Sequence, residues 1–209
     1  MGTALLVCIA TEREAMGLRG RLGGEHSLLV TGVGPVAAAH SATLFLARHR
    51  VGGVISCGVG GAYPGSGLEV GAVVCAATEQ FADLGAESPE GFLDLGALGF
   101  PLVDSDPPLH SRLPLSLFPA ARRVDCATCS TCTGTEATAR EREGRTGAAM
   151  ESMEGAAIVQ VALTMGVRVG EVRGISNLAG VRDRAAWKID EAVHAAQETL
   201  LGWIEAGAC

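Results

Sequence analysis

Apolar residues along this chain fall into short dense runs separated by stretches of helical period. The runs at 4–10 (ALLVCIA), 26–31 (HSLLVT), 51–57 (VGGVISC), 70–78 (VGAVVCAAT), 122–129 (RRVDCATC) and 167–176 (VRVGEVRGIS) predict six short strands. Apolar positions recurring every three or four residues predict helices over 12–22, 35–50, 150–166 and 190–206. Strands and helices alternate, which indicates an α/β sandwich around a largely parallel sheet. The segment 81–119 breaks the pattern: it holds six of the eight prolines and has little periodicity. It reads as long loops over the sheet and as a cover for a substrate.

Composition narrows the class. At 209 residues, with 48% apolar and 19% charged residues, the chain is long enough for one α/β domain with a packed core. A formal charge of −7, without the clusters of Lys and Arg that phosphate contacts need, argues against nucleic acid as a partner and for a small molecule. Every apolar run is interrupted well short of a membrane span, and the N-terminus MGTALLVCIATERE lacks a basic leader, so a cytoplasmic protein with no membrane partner is expected.

Seven cysteines are an odd number, and several lie within apolar runs, which does not suggest a disulfide framework. The spacing CATCSTC, Cys126 to Cys132, raises zinc as an alternative, since thiolates two residues apart can share a metal. No matching Cys or His pair occurs downstream, and the surrounding residues also read as a strand of small side chains.

Two glycine clusters come after strands. TGVGP, Thr31 to Pro35, precedes a helix whose first turn suits Pro35, and Gly32 and Gly34 can bring backbone N–H groups close to a ligand. SCGVGGAYPG, 56–65, with Gly58 and Gly61, suggests close backbone approach to something flat or bulky, or else a broad connection to the next strand.

The order ATERE, TGVGP, SCGVGG, MESMEG and ISN resembles the nucleoside phosphorylase and nucleosidase superfamily over almost the whole chain. Within it the chain resembles the methylthioadenosine and adenosylhomocysteine nucleosidases. The phrases GAYPGSGLEVGAVV, TEQFADLGAE and ISNLAGVRDRAAWKI bring it nearer to the futalosine hydrolases of menaquinone biosynthesis. The resemblance implies a single-domain three-layer sandwich with a central mixed, largely parallel sheet flanked by helices. It further implies a nucleoside substrate, no metal or organic cofactor, and a homo-oligomer. Related phosphorylases carry an Arg on the strand entering the second glycine cluster. Here that strand reads GGVISCGVGG, so water rather than phosphate is the expected nucleophile.

The same resemblance assigns candidate residues. Glu14 matches the residue that activates water, although Glu12 and Glu14 would also suit a helix N-terminus. Glu154 matches the glutamate that grips the ribose hydroxyls, with Met153 against the sugar's apolar face; a helix with Glu151 and Glu154 solvated and Met150 and Met153 in the core is the plainer alternative. Asn177 stands where adenine-specific relatives have an Asp. An amide offers N–H to O6 of a 6-oxopurine and accepts from a protonated N7, so Asn177 points to hypoxanthine, unless it only caps the turn. Asp183 is one candidate to replace the lost general acid; the alternative is that the oxopurine leaves with hydrogen bonding alone. Gly134 and Thr135 match the region lining the base pocket, where the family's aromatic is missing; Phe81 and Phe100 are possible replacements. Arg182 suits an acidic tail by charge. Inosine or methylthioadenosine cleavage, or a non-catalytic nucleoside-binding protein, are the alternatives.

Overall fold

A computed structural model describes residues 4–119 and 121–207 of the chain. All six expected strands form: β1 (Leu5–Ile9), β2 (Ser27–Val30), β3 (Gly53–Ala62), β4 (Val73–Phe81), β8 (Arg122–Thr128) and β10 (Val169–Leu178). Four short ones join them: β5 (Gly85–Ser88), β6 (Gly91–Asp94), β7 (Leu113–Pro114) and β9 (Met150–Ser152). The helices are α1 (Glu12–Ala15), α2 (Pro35–Leu46), α3 (Leu95–Leu98), α4 (Glu136–Thr146), α5 (Gly155–Thr164) and α6 (Ile189–Glu205).

The architecture is the expected α/β one, a mixed and largely parallel sheet with helices on both faces. β1 shows why its sequence is apolar throughout. Leu6 and Cys8 pack toward α2 and α5, whereas Leu5, Val7 and Ile9 pack toward α1 and α6, so both faces of the strand are buried. Burying each large side chain of this kind contributes about 1.5–3 kcal/mol. The amphipathic helix α6 lays Ala192, Ala196, Leu200 and Trp203 on the second face, at the spacing of one helical stripe.

The strands run in the order β10-β4-β8-β9-β3-β1-β2, and β10 also pairs with β3, so that part of the sheet closes on itself. β3 makes this possible by being long. Residues 53–56 pair with β1, Gly61 and Ala62 pair with β9, and nearly the whole strand pairs with β10. The glycine cluster, expected to come after the strand, is therefore part of it as far as Ala62. A Cβ at Gly60 would fall 2.9 Å from Sδ of Met150, so the glycine is what lets β9 approach.

Three expected helices are shorter than their periodicity suggests, α2 among them, which ends at Leu46 rather than at 50. The helix expected over 12–22 gives way to turns after α1, in a stretch that contains Gly17 and Gly20. The helix expected from 150 starts at Gly155, because residues 150–152 pair with β8 and β3 instead. Within 81–119, β5 and β6 form a hairpin and β7 adds to β4.

Candidate active site

A cleft of about 470 Å³ opens where β1, β3, β9 and β10 end. It is lined by Glu14, Gly61, Met153, Glu154 and Asn177 together, so five of the sequence-derived candidates converge.

Glu14 lies in α1, and its side chain is almost buried. Thr11 caps that helix by accepting the backbone N–H of Glu14 at 3.3 Å, and its hydroxyl donates to Glu14 Oε2 at 2.7 Å. From α6, Gln197 donates to the Glu14 carbonyl at 2.6 Å, which ties the short helix to the long one. The other carboxylate oxygen, Oε1, lies on the side of Gly58.

Glu154 sits at the N-terminal end of α5, and its Oε1 accepts the backbone N–H of Gly34 at 2.9 Å. Gly34 has φ 90°, a left-handed value that a glycine adopts readily, and it opens α2 ahead of Pro35. The helix terminus expected to meet a ligand anion thus meets a protein carboxylate. Burial raises the Glu154 pKa, against the opposing pull of Arg173 and the Gly34 N–H.

Arg173 is a functional candidate that sequence reasoning missed. It enters from β10 and is buried, with Nε donating to Glu171 at 2.7 Å and Nη2 to Ser56 at 2.8 Å, while Nη1 lies 3.7 Å from Glu154. Although burial opposes its charge, Glu171 and Glu154 hold its pKa above the ordinary value. The strand entering the glycine cluster lacks an Arg, as its sequence says, yet a guanidinium still reaches that place from the neighbouring strand. The sequence signal was an Arg flanked by alternating apolar positions in VRVGEVRGIS, a charge with no reason to be there unless paired.

At the other end of the cleft, Asn177 is half-buried. Its Oδ1 accepts from Ser176 at 2.8 Å and its Nδ2 donates to the Leu178 carbonyl at 3.0 Å. Ser176 and Asn177 both line the cleft because the pairing of β10 with β3 shifts between Ile175 and Asn177, leaving Ser176 as an extra residue. Gly61 lies beneath: a Cβ there would be 3.1 Å from Nδ2 of Asn177. The wall opposite is set by Glu151, which is buried rather than solvated. It accepts from Tyr63 at 3.0 Å and from the backbone N–H of Thr133 at 2.7 Å, and so holds Thr133 in the cleft.

Other candidates lie elsewhere. Gly58 does not line the cleft but leaves room for Arg173. Gly134 and Thr135 are exposed; Thr135 caps α4 by accepting from the N–H of Thr138, and the lining residue is their neighbour Thr133. Asp183 is exposed and outside the lining, where it caps a 3-10 turn by accepting from Ala185. Phe81 packs against the core and Phe100 is exposed, so neither reaches the cleft. The aromatic there is Trp187, just before α6, with the Arg182 guanidinium 5.2 Å above its ring. None of the described residues lining the cleft comes from 81–119. Cys126 and Cys129 are buried, and burial raises both thiol pKa values, which keeps them protonated.

A long mixed sheet carrying two acids and a guanidinium beside a nucleoside-sized cleft defines a class, and the model of the phosphorylase superfamily matches residues 8–205; the chain belongs to that superfamily. Solved structures agree on the fold. The 5'-methylthioadenosine/S-adenosylhomocysteine nucleosidase of Colwellia psychrerythraea, in complex with adenine, superposes with a TM-score of 0.81 at 18% identity, covering 98% of this chain and 96% of that one. The corresponding nucleosidase of S. pneumoniae gives 0.80 at 21% identity, covering 97% and 99%.

Within the superfamily the chain falls among the futalosine hydrolases. It is 40% identical to the futalosine hydrolase of Streptomyces coelicolor over 186 residues, 86% of this chain and 79% of that one. It is 39% identical to that of Thermus thermophilus over 188 residues, 85% and 80% respectively.

Proposed function

We propose that this protein hydrolyses the N-ribosyl bond of futalosine, releasing hypoxanthine and dehypoxanthine futalosine in menaquinone biosynthesis. The observation that carries the reading is the convergence of Glu14, Glu154, Arg173 and Asn177 on one cleft.

Cleaving a ribosyl C–N bond leaves positive charge on the sugar and an electron pair on the base. Glu154 accepts the ribose hydroxyls and, as an anion, favours the sugar as it becomes cationic. Glu14 takes a proton from water as its oxygen bonds to the anomeric carbon. Asn177 offers N–H to O6 of the departing hypoxanthine and accepts from N7 once that nitrogen has taken a proton from water. Asp183 caps its turn outside the cleft and has no part in this step. Met153 and Trp187 supply apolar surface to the sugar and the base.

Arg173 does not make this a phosphorolytic site. Its charge is already met by Glu171 and Glu154, and with Glu14 nearby the local balance is negative, which disfavours phosphate as a partner. The cleft continues to Thr11, Arg13 and Val33 on the β1–β2 side, where the tail of the substrate would leave.

The assembly expected is a homo-oligomer, for which the exposed Val36, Phe100 and Val181 offer apolar surface. Among the described residues no helix is long and apolar enough to cross a membrane; the location expected in this reading is the cytoplasm. Incubation with futalosine, inosine and methylthioadenosine separately, with and without phosphate, tests the assignment. Hypoxanthine released from futalosine alone, at a rate independent of phosphate, is the expected result; release only from methylthioadenosine, or only with phosphate, would reject it.

A further inference from the structure

Behind Arg173, away from the cleft, two carboxylates are buried together. Glu79 on β4 and Glu171 on β10 are both 0% exposed. Glu79 Oε2 accepts from Thr128 at 3.0 Å and from the N–H of Gln80 at 3.1 Å, and Glu171 Oε1 accepts from Arg173. The remaining oxygens, Glu79 Oε1 and Glu171 Oε2, have no hydrogen-bond partner among the described residues. Both face the same small space: a Cβ at Gly155 would lie 2.2 Å from the first and 2.5 Å from the second. Position 155 must therefore lack a side chain for the two acids to meet beneath the first turn of α5.

Two buried carboxylates in one space do not both ionise, because each desolvated charge raises the cost of the other. The groups around them do not offset two charges. Among the described residues Arg173 is the one guanidinium in contact with the pair, and Glu154 draws on it from the cleft side. Cys126 on β8 is a neutral thiol, and α5 contributes the N–H of Ala156, which donates to Thr128 at 2.7 Å and so orients the hydroxyl toward Glu79. A hydrogen between Glu79 Oε1 and Glu171 Oε2 would satisfy both unpartnered oxygens at once.

We propose that Glu79 and Glu171 hold one proton between them and act as a single monoanion that positions Arg173 toward the ribose side of the cleft. Burial, and then the neighbouring Glu171, push the Glu79 carboxyl well above the usual range. With one negative charge behind it, the guanidinium is held by Glu171 and Ser56 while Nη1 still faces Glu154. With two it would be drawn back from the cleft, and with none it would collapse onto Glu154. The role assigned to the pair rests on the nucleosidase reading; the shared proton does not.

Infrared spectroscopy of the ligand-free protein, labelled with carboxyl-13C glutamate, reads the proton without any substrate. A protonated glutamic acid band at pH 7 that disappears in Glu79→Gln is the expected result. Its absence in the wild type, or its persistence in that variant, overturns the proposal. Kinetics with futalosine read the positioning. Glu79→Leu, which cannot donate, should lower kcat about 30-fold with KM shifted less than about threefold, and Glu79→Gln, whose amide can donate to Glu171, should restore kcat to within about fivefold of wild type. Equal losses in the two variants would mean that Glu79 acts as an anion and would overturn the shared proton.

Discussion

The guanidinium of Arg173 stands where a side chain at position 58 would begin: its Nη1 lies 2.8 Å from the place of the missing Cβ of Gly58. Arg173 cannot yield easily, because Glu171 and Ser56 hold its other nitrogens. Gly58→Ala should therefore push Nη1 away from the sugar side of the cleft. Overpacking of this kind costs about 1–3 kcal/mol, so kcat should fall about tenfold or more while the protein remains folded. Steady-state kinetics beside a thermal melt check this, and an unchanged kcat would detach Arg173 from the reaction.

Glu14→Gln keeps the size of the side chain and can still accept from the Thr11 hydroxyl, so α1 should stay in place. It cannot take a proton from water. A loss of about 100- to 10,000-fold in kcat is expected, with circular dichroism unaltered. Full turnover in this variant would leave the cleft as a nucleoside-binding site only.

Asn177→Asp replaces N–H with an acceptor facing O6 of hypoxanthine. The Ser176 hydroxyl can still donate to it, so the strand should not rearrange. Hydrolysis of futalosine should weaken by about tenfold or more in kcat/KM, the cost of leaving a polar group unmatched. An unaffected ratio would show that the amide does not read the base.

The pH profile should reflect Glu154. Its pKa is raised above the ordinary 4.5, first by burial, and the ionised form is the one that favours a cationic sugar. The acid limb of kcat/KM should therefore lie above 4.5, and a limb at or below that value would exclude Glu154 as the group titrating. Stability should run the other way. A carboxyl whose folded pKa is raised binds its proton more tightly in the folded state, so this contribution is present below the unfolded pKa and is lost as pH rises through the folded one.

Much of this was legible in the chain. Six apolar runs became six strands because each is too short for a helix, and α6 kept the extent of its apolar stripe. The failures have local causes. Residues 150–152 carry a helical pattern only in continuity with the apolar positions of α5, and pairing on both sides makes them a strand. β3 continues through its glycines because backbone pairing, invisible in composition, decides there. At the site, Glu14, Glu154 and Asn177 were found through resemblance, since each alone suits a solvent-facing cap. Arg173 and Trp187 were missed: one is carried in from a strand distant in sequence, and the other comes after a turn whose path short-range spacing does not define. Thr133 escaped for a similar reason, its place being set by buried Glu151.

The extra residue in β10 has a consequence for how this site can change. Below it, alternate residues place Arg173 at the cleft and Glu171 behind it; at it, two adjacent residues, Ser176 and Asn177, both line the cleft. The dislocation separates the two tasks along a single strand. Under the proposed function, purine preference can drift through substitutions at 176 and 177 while the ionic scaffold assigned to bond cleavage stays where it is.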